Sequence, residues 1–430
     1  MDTIRAGGCE HVKTPAMDRL LKNGVSFRES HCATPICTPS RGSIFTGRMP
    51  TETGVWLNGK KGGEICSSIP NMGQWFQQNS DYDTVYAGKW HVPECHTKDI
   101  AGFDVIATGT DHMGNPSDAL VIRACDAWLR NRTDTNPFLM VASLIQPHDM
   151  CQWLHININK HELRYPEIAD DLPELPANFE PGEHEPALLL QMRNQHMQPA
   201  WGDWDELQWR YYLWNYYRMV EMVDGEIGRL LESLDDCGLT DDTLIVFSSD
   251  HGEGLAHHRM VRKDFFYNEA VKVPLIFCNP NLIQSDVRDS SHLVSSIDLM
   301  PTFCDFAGIP SPTLTHARSL RPLLEGKDEP WRSYLASHST YPAQMTENIE
   351  DATMMLRSQR YKYIRYFQTN AEMLFDMQED PGEQKNLATD ETYDDIVKDH
   401  RRMLKEWEHD LILAPRLENK TRIYDLIDIT

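Results

Sequence analysis

Short apolar runs alternate with longer amphipathic stretches along the first two thirds of the chain. Runs of strand length, bounded by polar or turn residues, are found at residues 82–87, 138–145, 243–248 and 272–278. Apolar positions with helical spacing are found at residues 11–27, 117–132 and 204–234. Because alternating strands and helices are typical of an α/β sandwich around a mostly parallel sheet, we predict this fold class.

The last quarter of the chain has a different pattern. Residues 354–376 contain strand-like segments with several basic side chains, and residues 392–411 have the pattern of a closing helix. A loop-like composition around residues 310–330 precedes them. We therefore predict a larger α/β domain at residues 1–325, which would carry the chemistry, and a smaller α+β subdomain with an antiparallel sheet at residues 326–430.

Composition excludes several classes of function. The formal net charge of −24 over 430 residues argues against nucleic acid as a partner, because phosphate binding needs a basic surface. No apolar run approaches the roughly 20 residues of a membrane span, so no membrane insertion is predicted. The cysteines include no Cys-x-x-Cys pair, so neither a zinc site nor a compact disulfide framework is expected. The chain as given shows no secretion signal, and its location is not predicted.

Polar clusters follow the predicted strands. Lys89 and His91 follow the first, His148 follows the second, and Asp250 and His251 follow the third. Open α/β sheets bind their ligands at the carboxyl ends of their strands. We therefore expect these side chains to meet in one pocket, where clustered cations would need an anion to neutralise them.

The segment Cys37-Thr38-Pro39-Ser40-Arg41, followed by Thr46-Gly47-Arg48, carries the most specific signal. Pro39 and the small residues after it suit the start of a helix, whose free amides can bind an anion. Arg41 can offer a planar pair of donors beside them. Three other interpretations were weighed. A lone cysteine here is often a small buried hydrophobe. A cysteine phosphatase would need five residues between Cys and Arg, and no protease signature surrounds Cys37.

This segment resembles the signature of the formylglycine-dependent sulfatases, in the alkaline-phosphatase-like superfamily. Further blocks resemble that family in the same order: Gly88-Lys89-Trp90-His91, Gln146-Pro147-His148-Asp149, Ser249-Asp250-His251-Gly252-Glu253 and Lys263 before Tyr267. The resemblance implies that a maturation enzyme oxidises Cys37 to formylglycine, whose hydrate attacks sulfur. It also implies a bound divalent metal, which we expect to be calcium.

The same resemblance assigns roles to the site residues. Asp250, His251 and Cys37 as formylglycine would hold the metal. Lys89 and His148 would contact the sulfate, and His91 would contact the sulfate or the formylglycine. Lys263 would be a second active-site lysine, and either it or His148 would protonate the leaving alcohol. Arg41 would add positive charge toward the developing negative charge.

One departure from the family pattern concerns the start of the sequence. Family members begin with a hydrophobic strand that ends in metal-binding aspartates, and the segment around Asp2 follows that position. As given, the sequence is therefore expected to lack a central strand and part of the calcium site. Gln146 also replaces the usual Asn of its block.

Two long loops and an aromatic cluster are expected to form a substrate rim. The loops are predicted at residues 99–116 and 151–186, and the second is rich in Pro, Glu and Asp. Residues 201–217 contain many aromatic side chains. Those with helical spacing are expected in the core, whereas Trp201 and Trp204 are expected at the rim, where they could stack on sugar rings.

The sequence thus predicts a sulfuric ester hydrolase that acts on a sulfated carbohydrate or small sulfate ester. Two alternatives stay open. One is a phosphonate or phosphate ester hydrolase of the same superfamily, which can share the Cys37 block. The other is a non-catalytic relative that binds sulfated glycans, since the N-terminal metal ligands are expected to be absent.

Overall fold

The computed structural model describes residues 3–109, 113–133, 135–157, 166–196, 204–339 and 351–417. The helices are α1 (Pro15–Lys22), α2 (Cys37–Thr46), α3 (Pro50–Thr53), α4 (Met72–Asn79), α5 (Gly114–Arg130), α6 (Asp149–Asn157), α7 (Ala187–Gln191), α8 (Glu206–Asp236), α9 (Asn268–Val271), α10 (Leu299–Ala307), α11 (Arg321–Leu324) and α12 (Asp394–Asp410). The strands are β1 (Gly24–Phe27), β2 (Ser30–His31), β3 (Asp83–Gly88), β4 (Asp104–Ala107), β5 (Phe138–Ser143), β6 (Ile245–Ser248), β7 (Leu275–Cys278), β8 (Val287–Asp289), β9 (Val294–Ser295), β10 (Tyr334–Ser339), β11 (Thr353–Ser358), β12 (Tyr361–Tyr366) and β13 (Ala371–Asp376). Within these ranges, no helix is long and apolar enough to cross a membrane.

The predicted α/β class is confirmed. Strands β4, β3 and β5 form a parallel sheet in that order. A second sheet has the order β6, β7, β1, β8, in which β7 is antiparallel to both of its neighbours. Helix α5 packs on β3, β4 and β5 and on the long helix α8, while α2 packs on α10 and α4. The strands that carry the polar clusters are therefore held in a scaffold of packed helices.

The predicted helix at residues 11–27 is confirmed only at residues 15–22. Helix α1 ends at Lys22, and β1 takes the remaining apolar residues. The cause is Gly24, where an added Cβ would lie 2.0 Å from the carbonyl oxygen of Phe277. Only glycine lets the chain come this close to β7, so the apolar residues after it pair as a fully buried strand.

The two predicted long loops contain regular structure. Strand β4 lies in the first, where it pairs with β3. Helix α6 lies at the start of the second and buries Met150 and Leu154, packing against α8. Both elements are short and carry polar residues, so the hydrophobic pattern of the sequence does not indicate them. Pairing with β3 and packing against α8 stabilise them instead.

The predicted C-terminal antiparallel sheet is confirmed. Strands β10 to β13 form a meander with each strand antiparallel to the next, and α12 packs against β10 and β11. The Ser337 hydroxyl donates to the carbonyl oxygen of Cys32 at 2.6 Å, and the His338 amide donates to that of Ala33 at 2.9 Å. The division at residue 325 stays a prediction, and these bonds join the two sides of it.

The two larger sheets of the α/β region leave a gap between β5 and β6. Among the described strands, β5 pairs only with β3 and β6 only with β7. A cavity of about 500 Å³ lies between their free edges, lined by consecutive residues of both strands and by apolar side chains of α5 and α8. Strands β1 and β7 are fully buried, whereas β6 is half-buried along its length.

Candidate active site

Cys37 is the first residue of α2 and lies at the end of the cavity. The chain enters the helix from extended backbone at Ile36, and the helix ends at Gly47, whose φ of 69° is left-handed. The Thr38 amide, in the first turn of the helix, donates to Oδ1 of Asn58 at 3.2 Å. Side chains rather than this amide therefore provide the positive charge around Cys37.

Arg41 connects three strand ends to α2. Its Nε donates to Oδ2 of Asp250 at 3.0 Å, after β6. Its Nη1 donates to the carbonyl oxygen of Lys89 at 2.8 Å, after β3, and to the Ser143 hydroxyl at 2.9 Å, in the last position of β5. Because a guanidinium has a fixed planar shape, these bonds define where the three strand ends lie relative to Cys37.

His251 faces Cys37 directly. Its Nε2 lies 3.1 Å from the sulfur of Cys37, while its Nδ1 lies 2.8 Å from the carbonyl oxygen of Gly252. The carbonyl can only accept, so Nδ1 carries a proton and Nε2 faces the sulfur. Residue 37 is thus in contact with a histidine of the block that follows β6.

The charges around Cys37 shift its own acidity and that of its neighbours. Burial would raise the pKa of the Cys37 thiol, but Lys263, Lys89 and His251 outweigh it and hold the pKa well below its ordinary value. Burial would lower the pKa of Lys263, but negative charge on Cys37, together with Cys151, Glu253 and Asp250, outweighs it and raises that pKa. The site therefore stabilises negative charge at position 37.

His148 is electrostatically different from the other cations. Burial, followed by the repulsion of Lys89 and Lys263, lowers its pKa to about 3. At neutral pH it is an uncharged imidazole with two lysines nearby. An anion bound between them would offset the repulsion and favour protonation of His148.

The structure brings most of the sequence-predicted site residues into one cavity. Its lining includes Cys37, Arg41, Lys89, His148, Asp250, His251 and Lys263. These residues come from five distant places in the sequence, and they lie together although the chain as a whole is strongly acidic. His91 follows Lys89 but is not part of that lining, and its backbone has a left-handed φ of 63°.

The prediction that Trp204 lies at a substrate rim is wrong. Trp204 is buried, with its ring 5.3 Å from that of Trp209 and 6.0 Å from that of Trp153. It belongs to the hydrophobic core below α8 and not to a rim, because the start of that helix turns the indole inward. Trp201 lies outside the described residues.

Ser143 and Glu253 are site residues for which the sequence analysis gave no role. Ser143 carries a hydroxyl group at the end of the apolar run of β5. Its position at the carboxyl end of a strand is the sequence feature that could have indicated a role in the site. Glu253 is buried, lines the cavity and accepts a hydrogen bond of 3.0 Å from the hydroxyl of Tyr212. It also accepts from the amide of Arg262 and so connects the Asp250 turn to the segment before Lys263.

The possible metal ligands beside Cys37 include few oxygen donors for the expected calcium ion. Within the described ranges, the one group of three possible metal ligands is Cys37, Asp250 and His251, with ligand atoms within 4.8 Å of one another. Calcium takes six to eight oxygen ligands. This group offers one carboxylate, which is shared with Arg41, together with a nitrogen and a sulfur. By themselves these residues do not fit calcium.

Comparisons with known proteins identify one family. The sulfatase family model matches residues 3–309, and a model described as the C-terminal part of N-sulphoglucosamine sulphohydrolase matches residues 256–410. A Delta 4,5-hexuronate-2-O-sulfatase of Bacteroides thetaiotaomicron is 32% identical, with 92% of this chain and 83% of the relative covered. An N-acetylglucosamine-6-O-sulfatase of the same organism is 26% identical, with 92% and 82% covered.

Solved structures show the same fold. A 2-O GAG sulfatase superposes with a TM-score of 0.85 at 29% identity, covering 98% of this chain and 94% of the other. A phosphonate monoester hydrolase of Agrobacterium radiobacter superposes with a TM-score of 0.79 at 21% identity, covering 96% and 94%, and shows the fold alone. With the family model matched over most of its length and the matched blocks gathered around Cys37, the chain belongs to the sulfatase family and is a sulfatase.

Proposed function

We propose that this sulfatase hydrolyses the sulfate ester of a sulfated carbohydrate, with a formylglycine derived from Cys37 as its nucleophile. One observation carries the proposal. The side chain of residue 37 lies at a helix start among Lys89, Lys263 and His251, which together favour negative charge at that position. An anionic ester placed in this cavity would meet the nucleophile and the cations at once.

The substrate class is inferred from the relatives. The similar protein at 32% identity is named for a hexuronate 2-sulfate, and the one at 26% for an N-acetylglucosamine 6-sulfate. Both names describe sulfated sugars. We therefore propose a sulfated glycan fragment as substrate and place an unsaturated hexuronate 2-O-sulfate first among the compounds to test.

The chain's own residues account for most of the proposed reaction. Formylglycine, as its hydrate, would supply an oxygen that bonds to sulfur. As the bond between sulfur and the sugar oxygen breaks, negative charge grows on the sulfate and leaving oxygens, where Lys89 and Lys263 would stabilise it. The sugar oxygen needs a proton. His148 could donate it once a bound sulfate offsets the repulsion of the two lysines, and Lys263 is the other candidate.

Calcium stays a prediction, and no step is derived through it. Asp250 and an oxygen at residue 37 would be its hard ligands, and His251 a weaker one. Since this group contains a single carboxylate, we expect residues 1–430 to bind calcium weakly, with a dissociation constant above about 0.1 mM. Titration calorimetry of the wild type and of Asp250→Asn would measure this. Micromolar binding would show that other residues complete the site.

The test uses the full chain produced together with a formylglycine-generating maturation enzyme. Peptide mass spectrometry should show that the peptide containing residue 37 is about 18 Da lighter than its thiol form, because CH₂–SH is replaced by CHO. This product differs from the sulfenic, sulfinic and sulfonic acids that ordinary cysteine oxidation gives. Desulfation of the hexuronate 2-O-sulfate should accompany the modification. The matched control is Cys37→Ala, which should fold and show no turnover.

Three results would contradict the proposal. Desulfation by preparations that carry only unmodified Cys37 would exclude formylglycine as the nucleophile. Hydrolysis of a phosphonate monoester with no hydrolysis of any sulfate ester would favour the other esterase class. Binding of sulfated glycan without turnover, in a fully modified chain, would favour the non-catalytic alternative.

A further inference from the structure

The segment that carries Lys263 has an unusual backbone. The lysine loop, defined here as residues 254–264, contains several non-glycine residues with left-handed φ: Leu255 (48°), Ala256 (65°), His258 (51°), Arg259 (53°), Arg262 (65°) and Asp264 (80°). L-amino acids rarely adopt this region, and a run of them persists only where the surrounding structure holds it. Contacts outside the loop must therefore fix its conformation.

One such contact holds the residue next to Lys263. The Asp264 amide donates to the carbonyl oxygen of Pro35 at 3.0 Å. The Ser339 hydroxyl of β10 lies 2.9 Å from Oδ1 of Asp264 and 3.0 Å from its carbonyl oxygen. Since Pro35 is just before Cys37, this anchor relates Lys263 both to the nucleophile and to the C-terminal sheet.

A buried ion pair holds the chain just after Lys263. Lys362 on β12 is 0% exposed, and its Nζ donates to Oε1 of Glu383 at 2.6 Å. The same ammonium donates to Oδ1 of Asn268 at 2.7 Å and to the carbonyl oxygen of Phe266 at 3.0 Å, which uses all three of its donors. Glu383, which is 1% exposed, accepts from the Asn268 amide at 2.7 Å.

Stability alone does not explain this pair. Replacing a buried ion pair by apolar side chains of similar size is often neutral or stabilising. Here the pair does what apolar side chains could not, because both members bond to the chain between Phe266 and Asn268. The segment from Phe266 to Asn268 follows Lys263 closely in sequence, and these hydrogen bonds attach it to the C-terminal sheet.

We propose that Lys362 and Glu383 are positioning residues for Lys263, through which the C-terminal sheet fixes the active-site lysine relative to residue 37. This inference rests on the proposed function, because it assigns Lys263 a part in the reaction. It also gives the C-terminal subdomain a function in the reaction: none of its described residues lines the cavity, yet it determines where one of the cavity's cations lies.

A double-mutant cycle on turnover tests the proposal. Lys362→Met should lower kcat for the sulfate ester by about tenfold or more with a smaller change in KM, because a displaced Lys263 loses contact mainly with the transition state. In a Lys263→Met background, Lys362→Met should cost little further rate, because residues that act through one another are not additive. Equal losses in both backgrounds would overturn the proposal.

Arg332→Met is the matched control. Arg332 also belongs to the C-terminal region and forms a buried pair, with Asp298 at 2.6 Å, away from the lysine loop. It should lower stability as Lys362→Met does and leave kcat unchanged. If Lys362→Met does not fold, the double variant Lys362→Met/Glu383→Met, which leaves no unpaired buried charge, carries the same test.

Hydrogen exchange separates this inference from the proposed function, because it needs no turnover. In Lys362→Met, amides of residues 262–268 should exchange faster while β10 to β13 keep the rates of the wild type. Unchanged exchange at residues 262–268 would overturn the positioning role. Absence of turnover in the modified wild type, with the local effect on exchange present, would count against the proposed function alone.

Discussion

Nε of Arg41 lies 3.0 Å from Oδ2 of Asp250, in a largely buried ion pair between α2 and the end of β6. Burial would raise the pKa of Asp250, but His251 and Arg41 outweigh it and hold that pKa well below its ordinary value. The pair joins the helix that begins with Cys37 to the sheet edge that carries His251. It is therefore part of the site's framework as well as of its charge.

We predict that Arg41→Lys lowers kcat for a sulfate ester by about 100-fold or more, since one ammonium cannot reproduce a fork that reaches Asp250, Lys89 and Ser143. Arg41→Ala should also lower the free energy of unfolding by about 2 kcal/mol, because it removes one of the cationic partners of the Asp250 carboxylate. Urea unfolding and steady-state kinetics would measure the two effects. Arg360→Lys, which alters an ion pair outside the cavity, is the control and should leave kcat unchanged.

Lys89→Ala and Lys263→Ala should each reduce kcat/KM by about 100-fold or more and reduce the affinity for inorganic sulfate. Their stability should change little, because removing an ammonium group also removes the cost of burying its charge, which offsets the contacts that are lost. Lys60→Ala is the control, since its side chain is 83% exposed. Wild-type kinetics in either lysine variant would exclude that lysine from sulfate binding.

The sequence predicted which residues would meet, but not how they are held. The positions of Lys89, His148 and Asp250 after strands followed from local pattern, since the carboxyl ends of β3, β5 and β6 converge. The contact of Arg41 with Ser143 depends on the relative placement of a helix and a strand, which no local pattern encodes. The prediction of Trp204 at the rim was wrong for the same reason. The direction of a side chain just before a helix depends on the residues that pack against it, here Trp209.

Acid pH should destabilise the protein partly through His31. Burial, opposed by Glu29 and reinforced by Lys272, lowers the pKa of His31 to about 3 in the folded chain, whereas its ordinary value is 6.5. Between these values the unfolded chain binds a proton that the folded chain does not. The free energy of unfolding should therefore fall as the pH is lowered from about 6.5 toward 3, by up to about 1.4 kcal/mol per pH unit.

His31→Asn tests this assignment. Its unfolding free energy should depend less steeply on pH between about 6.5 and 4 than that of the wild type, whatever its value at neutral pH. His409→Asn, at an exposed site, is the control and should keep the steep dependence. A His31→Asn profile parallel to the wild type would assign the acid loss to other groups.

The gap between β5 and β6 should be visible in amide exchange. Neighbouring backbone groups of a strand point to alternate edges, and those that face the cavity have no ladder partner among the described strands. An unpaired buried amide is costly, so water or another polar partner must reach it. Alternate amides of β5 and β6 should therefore exchange at least about tenfold faster than their neighbours.

Strand β7 provides the internal control, because both of its edges are paired, with β6 on one side and β1 on the other. Its amides should all exchange slowly, in step with global unfolding. Site-resolved exchange by nuclear magnetic resonance would distinguish the two patterns. Uniformly slow exchange along β5 and β6 would contradict this prediction, because it would show that another segment pairs with these edges. The cavity beside Cys37 would then be filled by polypeptide in solution. The oxygen donors of that segment would have to be counted when calcium binding to Asp250 is measured.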